Sequence, residues 1–599
     1  LHTVRHSFPT RRSSDLATLG IAHPPGYPLY TMVGRLFAML PYASPAWRVN
    51  LFGAMCAACT VAMVSRAVGR STGSAWAALL AGASLAVGPT FWVQGTTANI
   101  RSLTALFVAA AVAQSLVWER TRSTRDLTLL GLVLGFGGGH HSSIILLLPA
   151  FLAFVFIHEP RLLFEPRRWL GAAGAFVASL AVIAYLPLRS AMSPSFAPSP
   201  VRTWSDLVEH VLALGFRGDM LHYTALPDLL RRAGALAQIL RLEHGAPLLV
   251  LGLCSMLVCF VRRWRVGVLI GGIWVLNVAS AITYRAPQTV EYLIPSYVAF
   301  ALMLGLGLSD VAHHTAGRAA VFGASCVAIA FLALISWPSM EMLHHDSSTD
   351  ENARELLSAA PHDALILCGW HQATPLWYLQ IVEGVRPDVT VTYVYPEGAT
   401  PNSEVWLRRI REALPSRAVV VTNRFHAYDQ SGLWFTPLAS GWQVREAPQI
   451  ATSGGSAKET FGEALALTSW NLAKDTVEPG DRLQLDLTLA AVAQPDDDYT
   501  LFAQLLGPTG VIAQDDQRVL TNRLAAGEAL TTRLEPTLLL HCAPGDYQLV
   551  IGLYHSVEGQ PVRLKTAAGD MLTLATVHVH WRQTPTVSAH YIERHWSNG

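Results

Sequence analysis

Over the first 340 residues, apolar positions come in long blocks rather than in alternation, and the blocks have the length of membrane spans. About 20 apolar residues cross a hydrocarbon core of about 30 Å. Runs of that kind cover 46–65, 74–92, 100–117, 169–188, 246–261, 266–283, 292–309 and 318–337. A further stretch, 127–139 joined to 141–157, is too long for one helix and short for two. Its middle, Gly135-Phe-Gly-Gly-Gly-His-His141, predicts two tilted helices meeting at a polar turn. Such a turn must face protein or a water-filled cavity, because lipid cannot satisfy open backbone groups.

After residue 340 the pattern shortens. Ala364–Gly369 predicts a buried strand, His371–Glu383 a helix, Asp388–Val394 a second strand, Ser403–Leu414 a helix and Ala418–Val421 a strand, which together make a small α/β module over 341–455. From 456 the period becomes two. Leu483, Leu485, Leu487 and Leu489 alternate with polar neighbours, as do Tyr547, Leu549, Ile551 and Leu553, each run following Pro-Gly-Asp. This predicts a β-sandwich over 456–585 and a tail over 586–599. The expected fold is therefore a polytopic α-helical membrane domain (17–340), a small α/β module and a C-terminal β-sandwich.

Charge gives the helices a direction. Arg66 and Arg70, then Arg120, Arg122 and Arg125, then Arg161, Arg167 and Arg168, then Arg262, Arg263 and Arg265, and finally Arg318 fall in alternate loops, which reads as the cytoplasmic side. The opposite side then receives the loop around His23, Gln94–Asn99, the His140-His141 turn, the 189–245 segment, the Tyr284–Tyr292 loop and everything after 340. An enzyme working at the outer membrane surface gathers its polar groups this way, although every polytopic protein keeps polar residues in loops.

Composition removes several classes. Of 599 residues 51% are hydrophobic and 14% charged, a membrane-protein balance. The net charge of +1, without a Lys/Arg block, excludes a nucleic-acid partner. Seven scattered cysteines give neither a disulfide framework nor a zinc site, and the Cys56/Cys59 spacing sits in an apolar run where small packing residues are expected. There is no GxGxxG or P-loop for a nucleotide. No cofactor is expected, and two adjacent histidines are not by themselves a metal site.

The densest motif is Leu19-Gly-Ile-Ala-His-Pro-Pro-Gly-Tyr-Pro-Leu-Tyr30. Three prolines in five residues cannot continue a helix interior, so the segment is a loop or broken helix beside the first span. His23 in it can hydrogen-bond a substrate hydroxyl or phosphate, or simply cap backbone groups. His140 and His141 follow glycines that allow close approach to a ligand. Arg189 closes the run Tyr185-Leu-Pro-Leu-Arg-Ser190 at the outer rim, where it can hold a phosphate bidentately or snorkel to headgroups. Asp206 follows in Trp204-Ser-Asp206, and Glu291 with Tyr292 opens another span, an acid beside an aromatic that suits sugar recognition.

Ala-His-Pro-Pro-Gly-Tyr-Pro-Leu-Tyr resembles the first-loop signature of membrane glycosyltransferases of the GT-C type, the bacterial relatives of the TMEM260-like protein O-mannosyltransferases. The runs at Tyr185–Ser190 and Glu291–Tyr297 resemble further motifs of that family, over roughly 17–310. The resemblance implies a GT-C-like fold in the bacterial cytoplasmic (inner) membrane, with 341–599 extracytoplasmic. It also implies transfer of a mannose-like sugar from a polyprenyl-phosphate donor to a protein or glycan hydroxyl. Members of the family carry an acidic pair a little upstream of the Leu19 string as general base. Here that stretch is Ser-Phe-Pro-Thr-Arg-Arg-Ser-Ser-Asp-Leu, which looks like translated adaptor sequence, so residues 1–16 are expected to be non-native, the catalytic acid to be absent, and Asp15 not to replace it. At position 99 the family usually has Glu before an aromatic, whereas this chain has Asn99-Ile-Arg101. His23, Tyr27, Asn99, Arg101, His140, His141, Arg189, Asp206, Glu291 and Tyr292 are the candidate substrate-binding residues, with Arg189, His140 and Arg101 on the phosphate side. The competing classes are a transporter or flippase of lipid-linked glycans and a catalytically inert scaffold for the sandwich.

Overall fold

The structure, a computed structural model, describes residues 15–581 except 198, 217, 286–288, 314–317, 396, 398–399, 451–458, 509, 540–541 and 558–559. The tail expected at 586–599 and all but Asp15 and Leu16 of the segment expected to be non-native lie outside the described residues. The described residues form two compact units, divided between Thr349 and Asp350.

The first unit is helical. Its main helices are α1 (Pro28–Ala38), α2 (Pro45–Thr72), α3 (Ala75–Ala86), α4 (Pro89–Thr96), α5 (Ile100–Thr121), α6 (Thr124–His140), α7 (Leu148–His158), α8 (Pro166–Ser179), α9 (Tyr185–Ala191), α10 (Trp204–Val211), α11 (Leu226–Arg262), α12 (Trp264–Thr283), α13 (Thr289–Tyr292), α14 (Ile294–His313) and α15 (Arg318–His345). Among the described residues, seven helices are long and apolar enough to cross a membrane. A bent pair, α3 and α4, turned by 71° at Val87-Gly88, supplies an eighth candidate. Helix α14 runs through the middle, with Tyr297, Val298, Leu302 and Leu306 all fully buried. The unit boundary falls beyond the expected residue 340, because α15 continues unbroken to His345.

Starts and stops follow the local chemistry. Ser44 and Ser74 accept from the third residue of α2 and α3, and Ser123 caps α6. Pro sits in the first turn of α1, α2, α4, α7, α8 and α11. The predicted break near His140 is present, since α6 ends at His140 and a 3₁₀ turn, Ser142–Leu147, leads into α7. The glycines before it serve a different purpose from the one expected. A Cβ on Gly131 would lie 2.2 Å from the Ala172 carbonyl oxygen, one on Gly135 2.4 Å from that of Phe176, and one on Gly139 2.6 Å from Val182 Cγ1. Spaced by four, they form a stripe that lets α6 press its backbone onto α8 and the 180–184 turn, as small residues do between helices in lipid. They bring helix to helix, not backbone to ligand.

The helix ends opposite this turn are tied by charge. Arg263 donates to both Asp310 oxygens at 2.8 and 2.7 Å and to the Ser71 carbonyl at 3.1 Å, Arg120 donates to the Arg70 carbonyl, and His158 Nε2 meets Glu119 at 3.0 Å.

In the second unit, β1 (Leu365–Cys368) pairs in parallel with β2 (Thr390–Tyr393) and β3 (Val419–Val421), and β5 (Gly441–Arg445) and β4 (Trp434–Leu438) complete a mixed sheet in the order β2-β1-β3-β5-β4. Helices Trp370–Ile381 and Asn402–Ala413 are its crossovers. The remainder is two antiparallel-rich sheets around one core in which Leu485, Leu487, Leu489, Leu549, Ile551 and Leu553 are all 0% exposed, the period-two residues of the sequence. The strand Gln449–Ile450 already pairs with Glu528–Ala529 of the sandwich, so pairing starts before residue 456.

Gly135→Ala and Gly174→Ala should move thermal stability in opposite directions in detergent. A Cβ at Gly174 meets nothing within 4 Å, so alanine there gains about 0.5–1 kcal/mol of helix preference. At Gly135 overpacking against the Phe176 carbonyl should cost about 1–3 kcal/mol, and equal shifts would refute the packing role of the stripe.

Candidate functional site

Eight of the ten candidate residues meet at one rim of the helical unit, contributed by four separate segments. The first is the Pro-rich loop. Tyr27 adopts a left-handed φ of 46° just before α1, and its ring, 4% exposed, stacks on His141 at 5.5 Å and lies edge-on to His23 at 5.8 Å. His23 Nδ1 is 2.7 Å from the Pro24 carbonyl oxygen. The second segment is the start of α5. Asn99 is its N-cap and accepts the Arg101 N–H at 3.1 Å, while Asn99 Nδ2 lies 3.5 Å from Glu291 Oε2.

The third is the end of α6. His140 Nε2 sits 3.2 Å from both Thr104 Oγ1 and the Ile100 carbonyl oxygen, and His141 Nδ1 accepts the Ser143 N–H at 3.1 Å. The fourth is α13, whose Glu291 is 5% exposed and whose Tyr292 ring lies under the Arg101 guanidinium at 4.0 Å. Arg101 links these groups. It is 7% exposed, and its Nη1 is 3.5 Å from His141 Nε2. Adjacent histidines do face different ways, His140 into the start of α5 and His141 toward Tyr27 and Arg101. Asn277 secures the α13–α14 junction, donating to the Tyr292 carbonyl at 2.9 Å and accepting from Ser296 N–H at 3.1 Å.

Electrostatically the cluster sets positive groups beside one carboxylate, Glu291. The first N–H groups of a 22-residue helix point out of its N-terminus, which behaves as about half a positive charge. Arg101, in the first turn, adds a permanent one. Tyr27 and Tyr292 supply flat faces beside it.

The other two candidates sit elsewhere. Arg189 Nε donates to the Leu19 carbonyl at 2.7 Å and Nη2 to that of Thr18 at 3.0 Å, with Nη1 3.6 Å from Met192 Sδ. The guanidinium fork expected to hold a phosphate is thus engaged with the backbone entering the Pro-rich loop. Asp206 is half-buried and closes a capping box with Thr203, accepting the Thr203 N–H at 2.8 Å and the Arg202 N–H at 2.9 Å. Those bonds hold its carboxyl below the usual range, and it serves the start of α10 rather than the cluster.

Sequence reasoning missed how the loop is held. Tyr185 donates to the Gly20 carbonyl at 2.9 Å, and Ile21 N–H donates to that of Phe196 at 2.9 Å. His210, 4% exposed, is hydrogen-bonded to the Ala22 backbone, and its Nε2 would be 2.8 Å from a Cβ on Gly26, which stands at φ 91°. Only glycine fits there. Tyr185 was visible as part of a motif, but nothing in the spacing of His210 marks it as a loop contact.

Burial pushes the His210 imidazole down to about 4, against the Ala22 hydrogen bond that raises it. An opened loop exposes His210 near its ordinary value of about 6.5. The opened state therefore binds more protons between pH 4 and 6.5, so packing is fully present above that window and weakens by up to about 3 kcal/mol as pH falls through it. Hydrogen exchange of 19–30, corrected for intrinsic rates, should quicken from pH 7 to pH 5 in the wild type and stay flat in His210→Phe.

Known proteins resemble this chain most clearly in its helical part. Residues 14–163 match the family model of the protein O-mannosyl-transferase TMEM260 N-terminal domain, a stretch that holds His23, Tyr27, Asn99, Arg101, His140 and His141. The protein O-mannosyl-transferase TMEM260 of Mus musculus is 25% identical over 429 residues, 65% of this chain and 60% of that protein. The chain thus spans about 60% of the length of this relative. Among solved structures, ArnT from Cupriavidus metallidurans in the apo state aligns with a TM-score of 0.49 at 13% identity, over 74% of this chain and 92% of that one. Its undecaprenyl-phosphate-bound form gives 0.45 at 12% identity over the same shares. The chain resembles TMEM260-like membrane glycosyltransferases.

Proposed function

We propose that this protein is a membrane glycosyltransferase that moves a mannose-like sugar from a polyprenyl-phosphate donor to a hydroxyl of a protein or glycan on the extracytoplasmic face. The observation that carries the reading is the Arg101 centre: one buried guanidinium at a helix N-terminus, against His141 and over Tyr292, beside the Pro-rich loop. The likeness to TMEM260 supplies the reaction class, and the site supplies the anion chemistry such a donor needs.

In the proposed step the acceptor oxygen attacks the anomeric carbon, the bond from that carbon to the phosphate oxygen breaks, and the electron pair leaves with the polyprenyl phosphate. Arg101 and the first N–H groups of α5 face the charge that grows on the leaving phosphate, which is where preorganised donors lower a barrier most. His141 and His140 flank it. Tyr27, Tyr292, Asn99 and Glu291 surround the sugar, with His23 at the loop edge. Arg189 acts through the loop it clamps. A carboxylate takes the acceptor proton, and no described residue is assigned to that part.

In protein carrying its native segment ahead of Leu19, Arg101→Ala should cut sugar transfer on the order of a hundredfold, about 3 kcal/mol, while the protein still inserts, with Arg101→Lys recovering only part because a point charge replaces a fork. Transfer at the wild-type rate would move the phosphate elsewhere. The arginine alternation supports an extracytoplasmic 341–599, so protease added to intact spheroplasts should remove that half, and full protection would overturn the topology.

A further inference from the structure

Glu243 is a buried carboxylate with no part in the chemistry above. It is 1% exposed and lies on α11 two residues before Gly245, whose φ of 66° and ψ of 152° break that helix. Its Oε2 accepts the Thr90 N–H at 2.9 Å and its Oε1 the Phe91 N–H at 3.3 Å. Those are orphan donors at the start of α4, a helix of eight residues whose N-cap, Gly88, offers no side chain. Burying a carboxylate is far costlier than capping one turn, which a local serine does. A side chain at position 88 would compete for the same space, since a Cβ on Gly88 would stand 2.4 Å from Glu243 Oε1.

The far end of α4 explains what the cap secures. Its last residues lead through Thr97 directly to Asn99 and Arg101, and Ser102 Oγ donates to the Gln94 carbonyl, tying the last turn of α4 to the first of α5. A Cβ on Gly53 of α2 would lie 2.8 Å from the Thr97 carbonyl oxygen, so this connection is wedged with no slack. A helix this short has too few internal bonds to hold its own axis. Its direction, bent 71° from α3, therefore depends on what grips its ends. Arg232 repeats the arrangement three turns earlier on the same face of α11. It is 3% exposed and donates to the carbonyls of Ile282 and Tyr284, on the stretch that leads to Glu291 and Tyr292.

We infer that Glu243 is a positioning residue of the rim site: by capping α4 from another helix it sets where Asn99 and Arg101 stand. The catalytic part of this inference rests on the proposed transferase reading, whereas the positioning itself does not. Hydrogen exchange on the full chain in nanodiscs tests it, with wild type, Glu243→Ala, Glu243→Gln and Gly88→Ala. Glu243→Ala should speed exchange on the order of tenfold or more across 88–101 while α12 stays at the wild-type rate. Gly88→Ala, which displaces the carboxylate from the other side of the contact, should give the same pattern, and Glu243→Gln, which keeps one acceptor, should fall between. Faster exchange confined to Thr90 and Phe91, with 97–101 unchanged, would overturn the inference, as would an equal rise everywhere.

In a transfer assay Glu243→Ala should lower kcat on the order of tenfold with the acceptor KM unchanged, and adding Asn99→Ala should cost little more, because both act on one constellation. An unchanged kcat, or fully multiplicative losses, would count against positioning. Should wild-type protein carrying its native segment ahead of Leu19 transfer no sugar, the transferase reading fails, and the exchange pattern still decides the role of Glu243.

Discussion

Hydrocarbon offers no hydrogen bonds, so every polar group in the helical unit that breaks away from its helix must be met by another part of the chain. That constraint shapes the rim. Where α3 gives way to α4, freed N–H groups are met by Glu243; where α12 ends, freed carbonyls are met by Arg232; where α13 turns into α14, Asn277 meets both strands of the junction. Polar side chains of the rim are embedded among these supports.

The Pro-rich loop obeys the same rule at the surface. With three prolines it has few N–H groups to place but a full set of carbonyls, and its surroundings are accordingly donors: Arg189 on Thr18 and Leu19, Tyr185 on Gly20, with His210 bonded to Ala22. A permanently charged fork is well suited to two successive carbonyls at a chain entry, since it donates in one plane and cannot lose its protons. The loop is therefore rigid without internal regularity, and it delivers Tyr27 to His141 in a left-handed backbone conformation held from outside.

Much of this was legible from residue patterns. Blocks of about 20 apolar residues mark spans by a physical length that does not depend on context, and Leu485, Leu487 and Leu489 mark a strand because a pleat has period two. Sidedness put His23, Asn99, Arg101, His140 and Glu291 at one rim, but it put Arg189 and Asp206 there as well. What sequence could not disclose is which polar residue answers which backbone group. Arg189 looked like a phosphate ligand because an arginine at a rim suits one; its carbonyl partners lie 170 residues away in the chain. Asp206 looked like a site acid, but Thr203 three residues before it makes it a cap, a signal that was present in the spacing. Gly139 looked like room for a ligand, and the room is filled by Val182 of the 180–184 turn.

The ties at the opposite helix ends give the bundle a mechanical polarity. Arg263 joins α11, α14 and α2 at one level, Arg120 joins α5 to α2 near it, and His158 with Glu119 adds α7. The rim instead is joined through loops, short helices and two helices interrupted at Gly88 and Gly245. In a bundle pinned at its base and segmented at its mouth, the interruptions at Gly88 and Gly245, and not the pinned ends, are the places where bending costs least.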